Sequence, residues 1–115
     1  YMKSIHITPY DLELLVFTSQ RSLKMYLKKN NYLIHHDENF DLDNCHGLAL
    51  MYPDNTTMVL LPKEYSEDTL DHELIHITWY ISEIIGQPLT YNNNEFQAYL
   101  FNDLKKKIKK KVYKL

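Results

Sequence analysis

Three shortages set the first limits on this chain of 115 residues. Its single cysteine, Cys45, excludes an intramolecular disulfide and, with no C-x-x-C partner, a cysteine-based zinc knuckle. It has two glycines, few for a protein that binds through flexible loops, against ten tyrosines, which suit a close-packed core with phenol edges at the surface. No stretch approaches the roughly eighteen uninterrupted apolar residues of a membrane span. The opening Met2-Lys3-Ser4-Ile5-His6 also lacks the apolar body of a signal peptide. The expectation is a soluble, unprocessed chain that works inside the cell, in the cytoplasm, without a membrane partner.

Positive charge is not in excess either. Thirteen basic residues against fifteen acidic ones leave a net charge of −2, which argues against the whole surface serving as a nucleic-acid platform. A local exception is the tract Lys105 to Lys111, six lysines in seven residues, which reads more simply as an exposed helix end favoured by the helix dipole than as a nucleic-acid contact. The length and the 44% hydrophobic content support one domain, residues 1–115, with one modest core. Any active site must therefore be built from core elements.

Short apolar runs at Ile5-His6-Ile7 and Leu12–Phe17 read as an early strand with an edge or bend at Pro9; a helix starting at Pro9 behind a Thr8 cap is the competing reading. Ser19 is the expected N-cap of a short helix to Lys29, carrying Leu23, Tyr26 and Leu27 at helical spacing. Residues 35–46 are polar, acidic and histidine-rich, as in a loop. Leu48–Tyr52, the turn Pro53-Asp54-Asn55 and Thr57–Pro62 form a hairpin, so two or three antiparallel strands are expected before residue 66. Ser66 then caps a helix over 67–85, stopped by Gly86 and Pro88. Leu70, Leu74, Ile77, Ile81 and Ile84, joined by Ile75, Trp79 and Ile85, make it apolar around most of its circumference, so Trp79 is expected in the core. Asn92-Asn93-Asn94 caps a last amphipathic helix over 94–112, with Phe96, Leu100, Leu104 and Ile108 on its apolar face.

Inside the helix over 67–85 lies His72-Glu73-Leu74-Ile75-His76, an H-E-x-x-H pattern. On a helix it sets two imidazoles one turn apart with a carboxylate beside them, and neutral imidazole nitrogen is a good ligand for zinc. His72, His76 and Glu83 share a helix face. Two histidines alone hold zinc weakly, and catalytic zinc sites present three protein ligands and a water. Glu95, in the first turn of the final helix, is placed so that one helical hairpin would bring it back against the two histidines; Asp103, two turns further, is the alternative. The pattern with glycine three and histidine six positions beyond the second histidine does not apply, because Trp79 and Ser82 stand there. His35-His36 and His46 read as solvated loop histidines, and Cys45 has no evident base partner.

His72, Glu73 and His76 followed by Asn94-Glu95 and Ala98 resemble the gluzincins, the thermolysin-like zinc peptidases. In them H-E-x-x-H on one helix is completed by a glutamate opening the next. The resemblance covers residues 47–104 and lies nearest to short single-domain members and to small H-E-x-x-H proteins encoded by bacteriophages. It implies an α+β zincin-like fold, a small mostly antiparallel sheet packed on the H-E-x-x-H helix and on a C-terminal helix carrying the third ligand. It further implies zinc on His72, His76 and Glu95, Glu73 as general base, a peptide or protein substrate and a cytoplasmic or virion setting. The sequence departs from the family at Tyr99, where members often have an aspartate, and no match to the family's downstream, oxyanion-stabilising subdomain is expected within residues 1–115. Tyr99, one turn from Glu95, then becomes a candidate catalytic residue. The rival expectation is a catalytically silent protein, a virion or host-interaction module, whose zinc pins two helices together.

Overall fold

The computed structural model describes residues 2–33, 42–87, 90 and 94–115. Its elements are β1 (Met2–Ile7), β2 (Leu12–Phe17), α1 (Gln20–Lys29), a 3-10 turn (Leu42–Asn44), β3 (Leu48–Met51), β4 (Thr57–Leu60), α2 (Glu67–Ile84) and α3 (Asn94–Lys111). The four strands form one sheet in the order β1-β2-β4-β3. This is an α+β protein with a mixed sheet, flanked by three helices.

Each turn of chain direction has a local cause. The region around Pro9 is a turn joining two strands, with the Tyr10 amide donating to Ile7 O at 2.8 Å, so neither one continuous strand nor a helix from Pro9 forms. β1 and β2 pair antiparallel with Ile5 opposite Leu14, and β3 and β4 pair antiparallel with Ala49 opposite Val59. Between these hairpins, β2 and β4 run parallel, Val16 opposite Val59. Four strands therefore precede α2 where two or three antiparallel ones were expected. Ser19 and Ser66 cap α1 and α2 as anticipated, their hydroxyls accepting from the Ser22 amide at 3.2 Å and the Thr69 amide at 3.3 Å. At the far end of α2 the chain enters a left-handed turn at Gly86, φ 72°, and the Gln87 amide donates back to Ser82 O at 2.9 Å.

Apolar groups pack on both faces of the sheet. On one, Ile5, Ile7, Leu14, Val16 and Val59 meet Leu70, Leu74, Ile77 and Ile81 of α2 and Leu100, Leu104 and Ile108 of α3. On the other, Phe17, Met58 and Leu60 meet Leu23 and Leu27 of α1. β4 is covered on both faces and buries all four of its residues, which is why it reads as an unbroken apolar run. Truncating a side chain such as Leu74 to alanine costs about 2–5 kcal/mol at a site of this kind.

One expectation about α2 fails. Trp79 is 61% and Ile75 54% exposed, because the sheet and α3 cover two sides of the helix and leave these residues on a third. No helix among the described residues is long and apolar enough to cross a membrane.

Candidate metal centre

The buried stripe of α2 determines where its polar residues can go. Leu70, Leu74, Ile77 and Ile81 recur at steps of four, three and four and turn one face to the sheet. His72 and His76 fall away from that stripe and are exposed, one turn apart, with ring centroids 5.2 Å from each other and planes at 68°. Glu73 lies between the two faces. Although ionisable, it is among the few buried polar residues of those described.

The partner of Glu73 across the interface is Gly47, at the entrance to edge strand β3. A Cβ on Gly47 would lie 2.7 Å from Glu73 Oε2 and 2.8 Å from Thr69 Cγ2, so no other residue fits without displacing the carboxylate. Gly47 is held there from the other side. The Cys45 thiol donates to Gly47 O at 2.9 Å, and Gln20 Nε2 at the start of α1 donates to Cys45 O at 3.0 Å. Burial pushes the Glu73 carboxyl above the ordinary carboxylate range, while the His72 and His76 rings act to lower it.

Tyr80 completes the surroundings. It follows His76 by one turn, its ring stacked on the imidazole at 6.5 Å, and its hydroxyl donates a long 3.4 Å bond to Ala49 O of β3. Burial raises the Tyr80 hydroxyl, and the negative charge of Glu73 raises it further. Tyr80 shows in the sequence only as an i, i+4 neighbour of His76, and its contact with β3 comes from the fold.

His72, Glu73 and His76 each offer a ligand atom, and these atoms lie within 4.8 Å of one another; among the described residues this is the one such group of three. Two imidazole nitrogens and a carboxylate oxygen are the donor types of a first-row divalent ion. The other candidates stand elsewhere. Glu95 is exposed in the first turn of α3 and Tyr99 is 65% exposed one turn later, and neither belongs to the close group. Asp103 is paired with Lys107 at 2.8 Å. Glu83, though on the histidine face, lines a hollow with Met51, Tyr52 and Pro53. His46 is exposed, one residue before the glycine that meets Glu73, and His35-His36 lie outside the described residues. No protein-family model, curated protein or solved structure matches the chain.

Proposed function

We propose that this protein is a small zinc-dependent peptidase of zincin-like architecture. The observation that carries the reading is the asymmetry of the H-E-x-x-H helix: two exposed imidazoles one turn apart, and between them a carboxylate buried under the sheet edge yet within 4.8 Å of both rings. A carboxylate needed only for solubility has no reason to be buried at the cost of desolvation. One needed to take a proton beside two metal ligands does.

On this reading His72 and His76 hold zinc, and the first turn of α3 closes on them so that Glu95, which stands outside the close group in the structure, supplies the third protein ligand. Zinc, when bound, polarises a carbonyl and makes water acidic enough to attack it. Glu73 accepts the proton of the attacking water and passes it to the departing amine, and Gly47 keeps that carboxylate in place by leaving it room. Edge strand β3, entered from Gly47, offers main-chain groups along which an extended peptide can lie. Tyr80 beside Glu73 is a hydroxyl donor for the developing oxyanion, while Tyr99, exposed on α3, stands apart from the close group.

A second reading is favoured by one observation: the carboxylate nearest the two imidazoles is that of Glu73 and not that of Glu95. If Glu73 is itself a ligand, it cannot act as a base, and with a further donor from α3 the ion is a structural clasp that pins the two helices in a virion or host-interaction protein. Replacing Glu73 by Gln separates the two. The peptidase reading expects wild-type protein to carry zinc by elemental analysis and to cleave members of a peptide library unless a chelator is present. It expects Glu73→Gln to lose cleavage by at least about a hundredfold while retaining its metal. Loss of metal with the substitution, or no cleavage by zinc-loaded wild type, rejects it.

A further inference from the structure

We infer that the groove between β1 and the C-terminal half of α3 is a binding site for a compact, multiply charged phosphate anion. This groove, of about 540 Å³, is lined by Lys3, Ile5, His6, Lys107, Lys110, Lys111 and Lys114. Five lysines from two elements thus line it in a chain whose net charge is −2, and of these Lys107 is already paired with Asp103 at 2.8 Å. Like charges gathered in a concavity repel one another, and the repulsion is relieved when an anion sits among them.

The lysine tract is not one uniform solvated run, because the helix sorts it. Lys105 turns to α2 and pairs with Glu67 at 3.1 Å and Asp71 at 3.0 Å. Lys109 lies over the Tyr65 ring, 5.5 Å from its centroid. Lys107, Lys110 and Lys111, at helical spacing, turn to β1, and the chain curls at Lys114, φ 59°, so that this residue joins them.

Two of these lysines are fixed in position by the strand. Lys107 Nζ donates to His6 O at 3.0 Å and Thr8 Oγ1 at 2.9 Å, and Lys111 Nζ donates to Ser4 O at 2.6 Å. Lysines on a strand edge also deter pairing with another chain, which is a sufficient reason for these two. It does not account for Lys110 and Lys114, which stand exposed at the rim of the same groove. The lining contains no arginine fork for planar recognition and no aromatic ring of Phe, Tyr or Trp on which a nucleobase would stack. Recognition by lysine alone is recognition of charge density, and a polyphosphate has more of it than a carboxylate of similar size. The phosphate can be free or part of a nucleic-acid backbone.

Titration calorimetry of the full chain with inorganic tripolyphosphate in about 50 mM salt tests this, where electrostatic binding is strongest. Wild type should bind saturably. The double variant Lys110→Glu, Lys114→Glu, which keeps both strand-fixing lysines, should lose at least about tenfold in affinity, and Lys106→Glu, exposed outside the groove, should stay within about twofold. Far-UV circular dichroism checks that the variants fold. Displacement of a labelled single-stranded oligonucleotide by tripolyphosphate assigns the site to a nucleic-acid backbone; tripolyphosphate binding without oligonucleotide binding assigns it to free phosphate. No saturable binding by wild type, equal loss with Lys106→Glu, or equally tight binding of citrate would overturn the inference.

Discussion

A single missing methyl group leaves room for the carboxylate of the candidate site. Gly47 has no unusual backbone requirement here; what it provides is space, since the position of its absent Cβ is 2.7 Å from Glu73 Oε2. Gly47→Ala should therefore act as an overpacking substitution, destabilising by about 1–3 kcal/mol in urea denaturation. The carboxylate would also be pushed from its place, so cleavage by folded, zinc-loaded Gly47→Ala should fall well below wild type. Unchanged stability together with unchanged turnover would show that Glu73 does not depend on this contact. The histidine pair and Glu73 were legible in five letters, because i and i+4 on a helix is a local geometry. The contact with Gly47 was not, since it joins residues 26 positions apart in a chain with no pattern linking them.

Elements were legible where a cap or a periodicity is local, and illegible where a neighbour decides. The serine caps of α1 and α2 and the hairpin of β3 and β4 follow from short-range chemistry. The parallel joint between β2 and β4 does not, because residues about forty positions apart meet there without a turn to announce it. Trp79 and Ile75 were misassigned to the core for a similar reason: hydrophobicity all around a helix does not say how many sides are covered. The end of α3 yields a pH prediction. The Tyr113 hydroxyl donates to Pro62 O at 2.6 Å and its ring meets Tyr65 edge-on at 5.3 Å, tying the helix end to the chain before α2. Burial, aided by the Tyr65 charge, pushes the Tyr113 hydroxyl up to about 12. A group raised on folding contributes stability that is complete below its unfolded value of about 10 and is lost as pH rises through its folded one. Tyr113→Phe should thus be less stable by about 1 kcal/mol near neutrality, and the gap should narrow between about pH 10 and 12, followed by thermal melts of both chains. A gap that widens over that interval contradicts the assignment.

At the scale of the whole molecule, the question is whether the fold needs a metal. Small domains that lack a sufficient core depend on a structural ion and unfold without it. Here the two apolar clusters on opposite faces of the sheet contain none of His72, Glu73 or His76, and both imidazoles stand outside at the surface of α2. α2 and α3 are joined by Leu74, Ile77 and Ile81 against Leu100, Leu104 and Ile108, and by Lys105 bridging Glu67 and Asp71. A ligand that binds only the native state still stabilises it by mass action, about 2.7 kcal/mol at a hundredfold excess over its dissociation constant. Chelation should therefore lower the melting temperature by several degrees while leaving the far-UV circular dichroism at room temperature as it was, and cleavage, where present, should vanish. The structural-clasp reading expects the opposite order, with secondary structure lost as the ion is withdrawn. A chelated chain that unfolds at room temperature would mean that the sheet and its helices are too weakly packed to stand alone, and the site would then belong to the fold and not to catalysis.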